Sequence, residues 1–194
     1  MRFHYAGTYS GDEADLPQRS PMPVGAVQFR EPETLDKLVL IAAVVSLVIL
    51  IPSLALVVWR CGIQSFVGLG SLVGIVLSLV AAVPHEFLHA MWFKEDVYMY
   101  TNIKQGMLFV VGPEDMTLGH FVWMSFFPAL ILGVLPLVAF VVWYPSVVLG
   151  VFGAFSLSYA AGDFINIFNA STQMPRGARA FLSGMRSYWY LPQG

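Results

Sequence analysis

Residues 81–93 read AAVPHEFLHAMWF, and where this stretch is placed decides how the rest of the chain is read. It closes an apolar run that begins near residue 66, yet it holds two histidines and a glutamate within five positions. On an α-helix, positions i and i+4 lie about 40° apart around the axis, so His85 and His89 point the same way and can share one metal ion. Glu86 stands on the flank of that pair. Ionisable side chains at membrane depth cost roughly 2.5–3.5 kcal/mol each on insertion scales, which makes all three candidates for function.

The surrounding composition supports membrane depth. Of 194 residues, 57% are hydrophobic and 11% charged, against about 25% charged in soluble domains. Four runs are long enough to cross a hydrocarbon core as helix, about 38–59, 66–92, 121–143 and 147–169. Nine of the ten Lys and Arg residues fall before the first run, between the second and third, or after the fourth; Arg60 alone falls elsewhere. By the positive-inside rule both termini and the loop of residues 93–120 face the cytoplasm of a multi-pass membrane protein. The net charge of −2 is uninformative about nucleic acid, but the sequence shows no basic stripe or nucleic-acid-binding motif, so no nucleic-acid partner is expected. Cys61 is the single cysteine, so an intramolecular disulfide and a thiolate cluster are excluded, and any metal must be held by His and carboxylate.

The expected architecture is an all-α membrane protein, a four-transmembrane-helix bundle with a small cytoplasmic-side β-hairpin between helices 2 and 3. Residues 1–36, polar and proline-bearing, read as a mobile or loosely docked tail without a signal peptide. Residues 37–170 form the four-helix domain, and residues 171–194 an aromatic-rich interfacial tail. The hairpin is read from VYMYTNIKQGMLFVV, residues 97–111, two β-prone runs about NIKQG with Gly106 available for a positive φ. Its edge offers a place for an unwound peptide to add as a strand. A second hairpin is expected around Ser183 and Gly184, with Tyr188, Trp189 and Tyr190 suited to an aromatic belt. Pro52, Pro84 and Pro128 are expected to kink their helices.

A catalytic zinc site needs a third protein ligand, with the fourth position left for water. The fourth run contains one charge, Asp163, within YAAGDFINIFN, at a depth that matches His85 and His89. Gly162 with Ala160 and Ala161 should let that helix pack closely. Asn166, one turn on, can orient Asp163 or bind substrate, or simply bond to another helix. His120 stands in the first turn of the third crossing, where Thr117 can cap the helix, and can donate to an oxyanion or to substrate. The combination points to one zinc ion held by His85, His89 and Asp163, with Glu86 as general base in hydrolysis of a membrane protein or peptide. A non-catalytic zinc scaffold is the alternative, with His120 the residue to close the fourth position.

The HExxH of residues 85–89 at a helix end, the later Gly162-Asp163 pair and the tail MPRGARAFLSGMRSYWYLP resemble the zincin peptidases, small membrane proteins. More distantly they are similar to the site-2 protease class of intramembrane metalloproteases. The resemblance covers about residues 38–192. It implies zinc ligation by His85, His89 and Asp163 and a catalytic Glu86. Site-2 proteases carry their aspartate before a glycine, whereas here glycine precedes it.

Overall fold

Leu38 to Val58 contains no charged residue, and this run forms most of α1 (Leu35–Cys61). Thr34 opens the helix by accepting the N–H of Lys37 at 3.4 Å. Gly62, at φ 80°, closes it. The computed structural model describes residues 1–32, 34–102 and 106–193. After α1 follow α2 (Ile63–Phe66), α3 (Leu69–Val80), α4 (Ala82–Ala90), α5 (Leu118–Pro128), a π-helical stretch (Ala129–Val134), α6 (Leu135–Val142), α7 (Val147–Tyr159) and α8 (Ala161–Gln173). Asp36–Cys61, Leu69–Ala90 and Leu118–Val142 are each long and apolar enough to cross a bilayer. A fourth crossing arises only if α7 and α8, bent by 47°, count as one broken span.

The three prolines act differently. Pro52 sits inside an unbroken α1. Pro84 follows the break between α3 and α4 at Ala81, and it has no N–H to offer the carbonyl of Val80. Pro128 ends α5 where the π-helical stretch begins.

The chain divides into two compact units. The helical unit comprises Pro32–His85 and Phe126–Ile165. Its core is built on Val57, Phe140 and Val151, all fully buried. Helix α7 reaches its neighbours through glycine contacts: a methyl at Gly150 would lie 2.8 Å from Val57, and one at Gly74 2.8 Å from the Val148 carbonyl. Small residues at such crossings bring helix backbones together where lipid offers no hydrophobic drive. On α1, Leu40, Val44, Val48 and Ile51 stay more than half exposed, an apolar stripe with one-turn spacing.

The second unit comprises Met1–Glu31, Glu86–Ser125 and Asn166–Gly194, and it overturns the all-α expectation. Among the described residues there are seven strands in two sheets, so the fold is mixed α/β and not a four-helix bundle with one hairpin. The first sheet runs β1 (Arg2–Thr8), β3 (Asp96–Asn102), β4 (Met107–Val111), with β1 parallel to β3 and β4 antiparallel to it. The second runs β2 (Val27–Gln28), β7 (Arg186–Tyr190), β6 (Arg179–Ser183), β5 (Met116–Thr117), all antiparallel. Both expected hairpins are present, with Gly106 at φ 62° and Gly184 at φ 61°. Residues 103–105 of the NIKQG turn, including the Lys104 counted in the charge asymmetry, lie outside the described residues.

The extra strands come from segments read as tails. Residues 1–36, expected to be a loose tail, supply β1 and β2; Asp96 takes Arg2 at 2.7 Å and His4 at 2.8 Å. Parallel pairing of β1 with β3 joins residues more than 90 positions apart, a contact that no local pattern encodes. Tyr188, Trp189 and Tyr190 also differ from the expected belt. Tyr188 stacks on Phe181 at 5.4 Å, Trp189 packs against the core, and Tyr190 donates to Asp115 at 3.1 Å. That core gathers Phe29, then Ala90, Phe93 and Val97, then Phe121 and Met124, from three separate stretches of the chain.

Candidate metal centre

The helix break at Ala81 sets the start of the site. Helix α4 resumes there, with the His85 N–H bonded to the Ala81 carbonyl at 2.9 Å, and its next two turns carry His85, Glu86 and His89. One ligand atom from each of the three lies within 4.8 Å of the others. Glu86 is 8% and His89 6% exposed.

Each histidine is oriented by a partner within its own unit. His89 Nδ1 lies 2.9 Å from the main-chain oxygen of Met124 on α5. A carbonyl can only accept, so Nδ1 carries the hydrogen and Nε2 keeps the lone pair that a metal requires. His85 Nε2 lies 3.1 Å from Asp163 Oδ2, the two side chains 12% and 15% exposed. Two ligand atoms on a tetrahedral zinc, each about 2.0–2.2 Å from it, stand about 3.3–3.6 Å apart. The pair therefore suits a direct hydrogen bond in the free protein and joint ligation of one ion. Two imidazoles and a carboxylate, with no thiolate, form a donor set proper to zinc.

The remaining predicted residues have varied partners. Thr117 Oγ1 accepts the His120 N–H at 3.2 Å, the expected cap. The His120 ring, however, donates from Nε2 to the Trp92 carbonyl at 2.8 Å, so the hydrogen it would need for an oxyanion is committed to the main chain. Asn166 is half-buried on α8, and its side chain makes no hydrogen bond to another described residue. Gly162 does not serve close packing: a methyl there would meet nothing within 4 Å, whereas Ala160 and Ala161 are buried.

Three features near the site carry no signal in the sequence. The Met124 carbonyl that orients His89 is main chain. Phe3 of β1 stacks on Phe87 of α4 at 4.7 Å. Glu114, 8% exposed, accepts the main-chain N–H groups of Lys94 and Glu95 at 2.6 and 3.1 Å.

The first sheet also presents an open edge. Thr101 gives its carbonyl to the Tyr9 N–H on the β1 side and stands opposite Leu108. In an antiparallel pair, opposed residues point their main-chain groups both inward or both outward. Leu108, and Val110 two residues on, therefore direct theirs away from β3. Neither is bonded to another described residue, and MLFVV carries none of the charges or prolines that usually guard an edge. Val110 packs against the core that contains Ala90, the neighbour of His89.

A family model described as "Putative zincin peptidase" matches residues 78–179, 102 of the 194 residues. The match takes in His85, Glu86 and His89, the β3–β4 hairpin and Asp163, and it is narrower than the 38–192 over which the sequence shows resemblance. No curated protein and no solved structure matches the chain.

Proposed function

This chain belongs to the family described as "Putative zincin peptidase", and from that membership and the His85–Glu86–His89 cluster we propose a membrane-embedded zinc metalloprotease. The observation that carries the reading is the cluster itself, three donors within 4.8 Å on consecutive turns of one helix. His85, His89 and Asp163 would hold one zinc ion. Bound there, zinc supplies a Lewis acid that acidifies water and polarises a carbonyl.

Glu86, beside the two histidines, takes a proton from the attacking water as its oxygen bonds to the peptide carbon. When the C–N bond breaks, Glu86 returns that proton to the amine nitrogen. The Met124 carbonyl keeps His89 in the tautomer with the hydrogen on Nδ1 and the lone pair on Nε2. A scissile peptide adds as a strand along β4, where the outward groups of Leu108 and Val110 match the hydrogen-bonding pattern of an extended chain.

The apolar spans and the exposed stripe of α1 support lipid as the surroundings, and hence a membrane or membrane-proximal polypeptide as substrate. The Lys and Arg distribution supports cytoplasmic termini. A zinc-stapled scaffold would need a fourth protein ligand, and among the described residues the metal-binding cluster gathers His85, Glu86 and His89 without His120.

The test is zinc content beside cleavage of transmembrane peptides. Wild type should hold one zinc, Glu86→Gln should keep it while cleavage falls about 10²- to 10⁴-fold, and Asp163→Ala should lose it. Zinc bound equally without Asp163 would remove that residue from the ligand set. Full cleavage by Glu86→Gln would remove the mechanism.

A further inference from the structure

The last two turns of α4 carry Glu86 and His89, and the chain leaves the helix in a tight reversal. Trp92 N–H bonds back to the His89 carbonyl at 3.1 Å and Phe93 N–H to the Ala90 carbonyl at 3.0 Å. From there the chain must turn into β3 at Asp96. A helix end leaves main-chain groups without intrahelical partners, and such an end frays unless other groups satisfy it.

Here two side chains from one short stretch do so. The Nε2–H of His120 donates to the Trp92 carbonyl at 2.8 Å. The buried Glu114 carboxylate, through Oε2 alone, accepts both Lys94 N–H and Glu95 N–H. Hydrogen bonds to an ionised acceptor are roughly twice as strong as neutral ones. Glu114 precedes β5 and His120 lies in the first turn of α5, the helix whose Met124 carbonyl takes the His89 Nδ1–H. One segment, residues 114–124, therefore holds the α4 exit at three points, one of them on His89 itself. The hydrolytic mechanism uses neither Glu114 nor His120.

We propose that Glu114 is a positioning residue of the metal centre: with His120 it clasps the exit of α4 and so sets the orientation of His89 and Glu86. The proposal rests on the zinc reading above. Glu114 touches neither substrate nor metal and acts through the main chain of Lys94 and Glu95.

Cobalt(II) substituted for zinc reports ligand geometry through its visible absorption, and chelator competition reports zinc affinity. Glu114→Ala should weaken zinc binding about 10- to 100-fold, the usual effect of removing a partner that orients a ligand. It should also shift the cobalt bands. Glu114→Gln, which keeps an acceptor oxygen, should restore both. Should Glu114→Ala fail to fold, His120→Ala removes one tie alone and must show the same changes in smaller measure. Wild-type bands and affinity in folded Glu114→Ala or His120→Ala overturn the clasp and leave the protease reading intact. A wild-type protein that binds neither cobalt nor zinc overturns both.

Discussion

Two carboxyls of the sheet-bearing unit are pulled in opposite directions by their surroundings. Burial pushes Glu31 above the ordinary 4.5, opposed by hydrogen bonds from Ser187 and the charge of Arg186. The hydrogen bond from His4, and after it the Arg2 guanidinium, hold Asp96 below its ordinary 3.8. The folded state thus binds the Glu31 proton more tightly than the unfolded chain does. Its contribution to stability is fully present below pH 4.5 and is lost as pH rises through the folded value. Asp96 contributes above 3.8, and that contribution is lost as pH falls through its lower folded value. Glu31→Gln should raise the thermal midpoint near pH 7 and flatten its fall with pH above 4.5, read from melts across pH 4–8. An unchanged pH profile would show that Glu31 is not strained by burial. At this scale the His85–Glu86–His89 cluster was legible because spacing alone puts His85 and His89 on one helical face. Glu114 was not, because its role depends on where a loop returns.

Among the elements, α4 carries the His85–Glu86–His89 cluster and β4 the open sheet edge. The break before α4 follows from a proline that cannot donate, and the β4 hairpin from β-prone runs about Gly106; both are local causes, and both were readable. The open edge of β4 depends on which side of β3 is taken by β1, a distant segment. Leu108→Pro tests that edge. Its N–H points outward, so proline removes a hydrogen bond to peptide and leaves the β3 ladder intact. KM should rise about 2- to 10-fold, the worth of one hydrogen bond, with kcat within about twofold. An equal fall in kcat would argue against strand addition at β4. The expected close contact at Gly162 failed at the same scale: helix spacing says which residues are small but not what stands opposite them.

Over the whole molecule, the N-terminal residues are part of the sheet-bearing unit. β1 completes a three-stranded sheet, and Phe3 stacks on Phe87 beside Glu86. Deleting residues 1–9 should leave β3 and β4 as a two-stranded hairpin, marginal on its own. Hydrogen exchange over residues 97–101 should then lose protection, while the core around Val57, Phe140 and Val151 keeps it. Protection of β3 that survives the deletion would make β1 an accessory. By itself the sequence determined the apolar spans, the two hairpins and the His85–Glu86–His89 cluster, because each follows from periodicity, turn chemistry or spacing within some 25 residues. Only the tertiary structure decided the α/β character of the fold, the Asp163 bond to His85, the Met124 carbonyl on His89 and the clasp at Glu114. Those arise where segments tens of residues apart satisfy one another's main-chain and polar groups, and no local pattern records such pairings.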